Sequence, residues 1–459
     1  MTTHWRELRP IAQHASTVFV GQLALVVSGI TDTIIVGQYS PHALAALSVG
    51  SALYVSVFVG LLGVLQALLP VWAELNGGGQ KEALGRSFRQ AVYLTFILSA
   101  FGMVLLLCPG PALRYAQVPI DLQIEVRQYL QILAWSLWPA LFFRLFSTLN
   151  QSLHHPRLVT FVQLGSLLVK IPLSVWLTWG GTGVPAMGAS GAALATWTVN
   201  FVMLATALSL LSRHRLYRPY ALWQRLESPD WSALKALLRQ GLPSGLSIFV
   251  EVTSFTLMAL FISRMGTTAS AAHQIAANLG ALMYMVPLSL AIATSARTGH
   301  WIGAKNPIEM RRAILTGLAL TLALSWLCAG LLWWGRAVIP TWYSPVAAVQ
   351  LAATTLLAWV ALYHAADGLQ TLCVFVLRCF RITVSTFVVY GCLLWGVGLG
   401  GGYVLAYGLN GAFVNTDSQT GLGQLAMTPD AFWAASSLAL MATALVFSAM
   451  LWRAVKRQA

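Results

Sequence analysis

Three carboxylic acids lie inside long apolar stretches of this sequence, at Asp32, Glu251 and Asp367. Each stretch is long enough to cross a bilayer, and a charge at the centre of a membrane helix costs roughly 2.5–3.5 kcal/mol. An acid in such a position therefore indicates a functional site. The alternative is a hydrogen-bonded, permanently neutral packing residue, and for Glu251 and Asp367 we favour function.

The side chains around two of these acids recur with helical spacing. Residues three and four positions apart lie on one helical face, so each acid belongs to a polar face. For His364, beside Asp367, we favour an ordinary interhelical hydrogen bond over a proton relay. The face of Glu251, within Gly241–Ser263, carries Ser244, Ser247 and Ser254, and that of Asp367 carries Tyr363, His364, Gln370 and Thr371.

Two carboxylates in one half of the chain suit an ion-coupled membrane protein. Carboxylate oxygens can take up a proton or a hard cation, and the sequence leaves both open. In a neighbouring stretch, Tyr284 shares a helical face with His273 and could present its ring or hydroxyl to a cation. A buried tyrosine with a satisfied hydroxyl is the alternative. Beyond Na⁺ at Glu251 and Asp367, we predict no metal site.

Asp32, the acid in the first half of the chain, has a candidate partner in the same half. Lys170 lies in an apolar stretch with a polar stripe that includes Gln163 and Ser174. Acids and bases buried in a membrane are expected to pair with one another. We therefore predict an ion pair between Asp32 and Lys170, at a site that would handle a proton or a substrate.

The composition indicates which elements position these groups. Of 459 residues, 58% are hydrophobic and 9% are charged, whereas soluble domains contain about 25% charged residues. Recurring apolar segments of about 20 residues predict an all-α polytopic membrane protein and exclude a β-barrel. The twelve predicted membrane helices span residues 14–37, 44–70, 91–112, 127–150, 157–179, 188–211, 241–263, 273–296, 313–335, 346–371, 383–409 and 430–452.

Successive connections between the predicted helices are alternately rich and poor in basic residues, which divides them into two sets. Only four of the 27 lysines and arginines lie in one set (Arg114, Arg127, Arg264 and Arg336), two lie inside spans, and 21 lie in the other set. By the positive-inside rule, the richer set and both termini are cytoplasmic. The net charge of +14 thus reflects topology, and no nucleic-acid partner is expected.

The two halves of the chain look like copies. At an offset of 224 residues, Leu133-Ala134-Trp135 matches Leu357-Ala358-Trp359. We predict two pseudo-symmetric six-helix bundles, residues 1–218 and 241–459, joined by a basic cytoplasmic linker at 219–240. Parallel repeats of this kind hold a substrate between the halves. At the same offset Glu251 meets Val27, so the scaffold is duplicated but the chemistry is not.

Six motifs spread over both halves carry a family resemblance: TDTIIVG (31–37), GGTGVPAMGASGAALAT (180–196), FVEVTSF (249–255), LMYMVP (282–287), the Ala366-Asp367 stretch and GLGGGYVLAY (398–407). In this order they resemble the multidrug and toxic compound extrusion (MATE) family, in its bacterial NorM-type branch. The resemblance implies twelve helices in two bundles, and export of amphipathic, often cationic compounds against Na⁺ or H⁺. It also implies a cation site at Glu251, Tyr284 and Asp367, and it matches Asp32 to the first-helix acid of the N-terminal bundle.

One departure from the family concerns the fifth span. Relatives often read N-x-P-L-N there, whereas this chain reads KIPLS from Lys170 to Ser174. A second departure is the absence of acids from the loop Tyr343-Ser344-Pro345-Val346 before the tenth span. Both weaken the expectation of a strictly cationic substrate, and Lys170 could favour an anionic one.

The resulting prediction is a secondary active antiporter that works by alternating access. An alternative is a dedicated exporter of one endogenous metabolite, which could be anionic, or of a lipid-linked precursor. An intramembrane enzyme is least favoured, because no nucleophile lies beside a base. Aromatic, Met and amide side chains are expected to line the substrate cavity, although core packing also explains the apolar ones: Gln274, Asn278, Phe255, Met258 and Met283.

The expected partners are a small-molecule substrate and membrane lipid. The sequence has no P-loop, so ATP is not the direct energy source, and no cofactor other than the coupling ion is expected. The first apolar segment is full length and lacks a cleavage site, so we expect no cleavable signal. We place the protein, as a monomer, in the bacterial inner membrane.

Overall fold

The computed structural model describes residues 6–115, 118–181, 183–224, 227–408 and 428–458. These residues form twelve long apolar helices and no strand, which confirms the predicted all-α fold. The predicted span at 383–409 ends on a residue outside the described ones. The helices are Leu8–Tyr39 (α1), Pro41–Gly77 (α2), Lys81–Leu107 (α3), Ile120–Ser152 (α4), Pro156–Trp179 (α5), Ala189–Arg213 (α6), Trp231–Ser263 (α7), Thr267–Gly303 (α8), Pro307–Gly335 (α9), Ala347–Cys379 (α10), Val384–Gly408 (α11) and Pro429–Arg457 (α12).

Polar side chains cap the starts of several helices. Ser40 before α2 and Asn306 before α9 each accept hydrogen bonds from backbone N–H groups of the first turn. Each is followed by proline, whose fixed φ suits that turn. Asp230 caps α7 in the same way, accepting from the backbone N–H of Ser232 at 2.9 Å. Helix α7 therefore begins at Trp231, within the residues predicted as a linker, and not at 241.

The chain divides into two compact units. The first contains Ser16–Gly245 and Gly299–Lys305, and the second contains Met1–Ala15, Leu246–Thr298 and Asn306–Ala459. In the second unit, the guanidinium of Arg297 donates to both carboxylate oxygens of Glu7, at 2.7 and 2.6 Å. The predicted bundle boundaries stay a prediction, and residues 225–226 of the predicted linker lie outside the described residues.

Helix α4 forms the centre of the first unit. It packs against α2, α3 and α6, and its inward side chains, among them Leu137, Leu141 and Phe146, are fully or almost fully buried. A helix surrounded in this way is apolar on most of its circumference.

Helix α10 has the corresponding place in the second unit. It packs against α9 and α12, and its run from Leu372 to Leu377 is buried on every side. The two central helices, α4 and α10, are the most deeply buried of the described helices, and each is the fourth of six. In contrast to α4, α10 carries its chemistry in this buried position, because Asp367 lies on it.

One close backbone contact in the first unit requires glycine. A Cβ atom on Gly77, at the end of α2, would lie 1.9 Å from the carbonyl oxygen of His300, and one on Gly303 would lie 1.8 Å from that of Glu74. Carbon and oxygen atoms cannot approach so closely, so any side chain here forces the backbones apart. The glycines at these ends therefore set the distance between the end of α2 and residues 299–303.

Candidate functional site

The amide of Gln370 joins the two acids of the second unit. Its Nε2 atom donates to Oδ1 of Asp367 at 2.9 Å and to Oε1 of Glu251 at 3.3 Å. Asp367 lies one turn earlier on α10 and is 4% exposed, whereas Glu251 reaches the same amide from α7. The two carboxylates predicted to form a site are thus brought together, around a neutral side chain.

Three hydroxyl groups complete this cluster. Thr371 donates to Asp367 Oδ1 at 3.4 Å, and the hydroxyl of Tyr390 on α11 donates to Oε1 of Gln370. Tyr284 on α8 interacts electrostatically with Glu251 and Asp367. The predicted grouping of Tyr284 with the two acids is present in the structure.

The acid cluster offers the donors that a hard cation uses. Carboxylate and hydroxyl oxygens from three or more helices converge on one buried place, and such oxygens suit Na⁺ or a proton equally. Among the described residues there is no group of three His, Cys, Asp or Glu side chains that could hold a metal ion. Carboxylate and hydroxyl oxygens are donors of the kind that a proton or a hard cation uses.

An aromatic cluster lies next to the acids. Tyr363, one turn before Asp367, makes edge-to-face contacts with Phe255 and Trp433, with ring centroids 5.6 and 5.9 Å apart. The indole of Trp433 donates to Nδ1 of His273 at 3.2 Å. Phe255, a predicted cavity residue, is thus one wall of a tightly packed aromatic group.

The other predicted cavity residues are dispersed around the second unit. Gln274 and Asn278 are exposed on α8 and bond to each other, with Nε2 and Oδ1 3.0 Å apart. Met258 is buried and accepts a weak hydrogen bond from Ser436, whereas Met283 is half-buried. The contacts of these four residues do not join them to the acid cluster, and their role in a substrate cavity stays a prediction.

The first unit contains the predicted ion pair. Lys170 Nζ lies 2.7 Å from Asp32 Oδ2, and the hydroxyl of Ser174 donates to Asp32 Oδ1 at 3.0 Å. The exposed fractions of Asp32 and Lys170 are only 8% and 7%. Tyr129 on α4 also interacts electrostatically with Asp32. The carboxylate therefore has a cation supplied by the chain itself.

Two buried residues of the second unit are not found by the sequence reasoning. Tyr390 falls in an apolar span with no polar spacing around it, and nothing in the sequence relates it to Gln370. Arg378 is counted above among the basic residues of a cytoplasmic connection, but it lies within α10 and is 2% exposed. Its spacing of eleven residues from Asp367, three helical turns, is the signal that could have placed it on the same face.

Comparisons with known proteins agree with this architecture. The family model MatE matches residues 18–176 and 243–404. A "Probable multidrug resistance protein NorM" of Aromatoleum aromaticum is 36% identical, over 97% of this chain and 94% of its own length. "Multidrug resistance protein PmpM" of Pseudomonas aeruginosa is 32% identical, over 91% of this chain and 87% of its own.

Solved structures share the fold. The eukaryotic MATE transporter AtDTX14 superposes with a TM-score of 0.86 at 17% identity, covering 99% of this chain and all of its own. The MATE transporter VcmN of Vibrio cholerae in its bent form has a TM-score of 0.82 at 17% identity, covering all of this chain and 99% of its own. At such identities the likeness concerns the fold alone.

Proposed function

This chain belongs to the MatE family, and on that premise we propose that it is a multidrug efflux transporter that exchanges amphipathic, often cationic compounds for Na⁺ or H⁺. The twelve apolar helices make it a multi-pass membrane protein. Relatives at 36% and 32% identity carry the name of multidrug resistance proteins. We propose the bacterial inner membrane as its location, with both termini cytoplasmic, and alternating access as its mode of transport.

The observation that carries the coupling proposal is the bridging of Glu251 and Asp367 by one amide. Two carboxylates held this close in a buried place repel each other when both are charged. A proton or a Na⁺ ion relieves that repulsion, so occupancy by the cation changes the balance of charge at α7 and α10. Substrate and cation that favour different arrangements then weaken each other's binding, by the same factor in both directions.

The hydrogen bonds around Glu251 and Asp367 indicate what each polar neighbour contributes to the site. Gln370 holds both carboxylates in place through its N–H groups, and Tyr390 fixes the orientation of that amide by donating to its oxygen. Tyr284 interacts electrostatically with both acids, and we propose it as the residue that supplies a hydroxyl ligand. The protein thus orients the two carboxylates and the hydroxyl groups of Tyr284 and Tyr390. On this proposal, a cation from solution balances the negative charge of the carboxylates.

The experiment is transport in proteoliposomes with Na⁺ and H⁺ gradients imposed separately. Glu251→Gln and Asp367→Asn should each abolish gradient-driven dye export while the protein still folds and inserts. Glu309→Gln, an acid of the same unit that is paired with Arg312, is the matched control and should export normally. Normal export by either site variant would remove the basis for the coupling role.

Lys170 favours a second candidate function, which is export of one endogenous and anionic metabolite or of a lipid-linked precursor. A buried lysine in the first unit is the observation in its favour. Against it, the ammonium group is already bound to Asp32 at 2.7 Å, and a paired lysine attracts an anion less strongly. Competition of anionic and cationic dyes for export in the same vesicles distinguishes the two candidates.

A further inference from the structure

Arg144 is a charged side chain inside the first unit to which the proposed function assigns no role. Together with Lys170 it makes up the two basic residues that fall within predicted membrane helices. It is half-buried on α4, about two turns before that helix ends at Ser152. Arginines within membrane helices face the interior of the bundle or a water-filled cavity, and they mark pathways of substrates or ions. Arg144 is therefore a candidate for contact with a transported compound.

Two observations place the guanidinium of Arg144 away from the ends of the helices. Its Cζ atom lies 5.8 Å from the ring centre of Phe58, and Phe58 lies at the middle of the 37-residue helix α2. At the offset of 224 residues at which the two halves match, Arg144 corresponds to Gly368, the neighbour of Asp367 on α10. The fourth helix of each unit thus carries a charged side chain at corresponding positions, a base in the first unit and an acid in the second.

The positive charge of Arg144 has no carboxylate to balance it. Arg144 forms no salt bridge with any described aspartate or glutamate. Asp32, the acid predicted within a membrane helix of the same half, already has the ammonium group of Lys170 at 2.7 Å. A charge within a membrane helix is costly when no opposite charge compensates it. An anion that binds beside Arg144 therefore gains from a charge that the protein leaves unpaired.

Two stacked aromatic rings lie beside this guanidinium. Tyr54 and Phe58 are one turn apart on α2, with ring centroids 5.7 Å apart and ring planes inclined by only 7°. Tyr54, Phe58 and Arg144 are all half-buried, so a part of each side chain is open to a ligand. Arginine binds carboxylates through two parallel hydrogen bonds, and aromatic rings pack on one another. The three side chains therefore fit a compound that combines a carboxylate with an aromatic ring.

We propose that Arg144 is an anion subsite for transported compounds, and that it binds the carboxylate of aromatic acids and aromatic zwitterions. The guanidinium donates to the carboxylate, and the ring of the compound packs against Phe58 and Tyr54. This proposal rests on the proposed function and narrows its substrate class. Compounds with a carboxylate are accepted through Arg144 and not through Lys170, because the ammonium group of Lys170 is bound to Asp32.

The test uses two dyes that share one ring system. Rhodamine B carries a carboxylate at neutral pH, and in rhodamine B ethyl ester that group is neutral. Binding of each dye to the purified protein in micelles is measured by fluorescence anisotropy. Arg144→Met removes the charge at similar length and should weaken binding of rhodamine B about tenfold, since a hydrogen bond to a charged group contributes at least that much. Binding of the cationic ester should not weaken, because the variant removes a like charge.

Further variants make the outcome specific. Arg144→Lys keeps the positive charge and should retain most of the affinity for rhodamine B. Arg157→Met removes an exposed arginine at the start of α5 and should bind both dyes like the parent protein. In proteoliposomes, Arg144→Met should export the ester normally and rhodamine B poorly. Should Arg144→Met not be recovered as a monodisperse protein, Arg144→Gln takes its place with the same expected result.

The proposal is overturned if the parent protein does not bind rhodamine B, or if Arg144→Met binds it as tightly as the parent protein does. Equal weakening of both dyes in Arg144→Met also overturns it, since a role in the structure of the unit and not recognition of the carboxylate would then be responsible. The proposed function fails by a different result, which is normal gradient-driven export by Glu251→Gln in a protein with Arg144 intact.

Discussion

Removing Lys170 should destabilise the first unit more than any single surface change. Lys170 Nζ and Asp32 Oδ2 are 2.7 Å apart in a place where both residues are more than nine-tenths buried. At an effective dielectric constant near 20, two unit charges at this distance attract each other by about 6 kcal/mol. Lys170→Met leaves the Asp32 carboxylate buried with the Ser174 hydroxyl and no cation, and breaking a buried pair in this way costs about 3–5 kcal/mol.

A double-mutant cycle isolates the pair from the rest of the unit. Lys170→Met, Asp32→Asn and their combination are compared by equilibrium unfolding in mixed micelles, followed by circular dichroism. The double variant should lose about 2–3 kcal/mol less free energy of unfolding than the two single variants added together. The exposed pair of Arg86 Nε and Glu227 Oε2, 3.7 Å apart, serves as the control and should couple by less than about 1 kcal/mol.

Additive single variants, within about 0.5 kcal/mol, would refute the idea that the pair is charged and energetically coupled. The same variants test its role in transport. With its own cation removed, the Asp32 carboxylate has no balancing charge, so dye efflux by Lys170→Met should fall below that of the parent protein. If efflux by Lys170→Met equals that of the parent protein, the pair has no part in the transport cycle.

Three other predictions follow from the contacts. Gly77→Ala places a Cβ atom 1.9 Å from a backbone carbonyl oxygen and should lower the unfolding temperature and the yield of folded protein, whereas Gly29→Ala, in open space on α1, should do neither. Tyr390→Phe removes the hydrogen bond to the amide between the acids and should cost about 1–2 kcal/mol on unfolding, with Tyr403→Phe as a neutral control; equal costs would contradict the assignment. The pKa of Asp230 is lowered, because the hydroxyl of Ser232 and the backbone N–H groups of Ser232 and Ala233 donate to its charged form. Its contribution to stability should therefore be present above the ordinary pKa of 3.8 and be lost as the pH falls through the lower pKa of the folded protein. That loss, followed between pH 3 and 6, should be missing in Asp230→Asn.

The sequence predicts the membrane helices well because their determinant is local. A run of about 20 apolar residues has few stable alternatives in a bilayer, since every backbone group must be satisfied within the helix. The ends of the helices are harder to predict, because the hydropathy of the sequence falls before the helix itself ends. Helix α7 starts at the Asp230 cap, and α8 continues to Gly303 through polar residues that the hydropathy of the span does not include.

The ion pair of the first unit could also be predicted, for a reason of energy and not of spacing. Two opposite charges buried in the same bundle have no favourable place except against each other. Tyr390 could not be predicted in the same way, because a neutral hydroxyl is tolerated in many positions. Its contact with Gln370 depends on how α11 packs on α10, and helical periodicity carries no information about that angle.

Arg378 shows a different limit of prediction from sequence. Counting basic residues by connection serves topology, yet it assigns every arginine near a helix end to the headgroup region. The last turn of α10 turns this residue inward, over Phe375, while Arg381 three residues later is exposed. Position along the chain thus separates the two arginines by less than one turn, and only the three-dimensional packing separates their environments.

The two units surround their buried carboxylates differently, and this difference is the reason that we propose the second unit as the place of coupling. In the first unit, Asp32 has a lysine nitrogen at 2.7 Å, so its charge is balanced whether or not an ion is bound. In the second unit, Glu251 and Asp367 form no salt bridge with any described lysine or arginine, and a neutral amide joins them instead. A site whose charge is already balanced gains little from an added cation, whereas a pair of unbalanced acids gains much. On the proposed function, a gradient of Na⁺ or H⁺ therefore acts on α7 and α10 and not on α1 and α5.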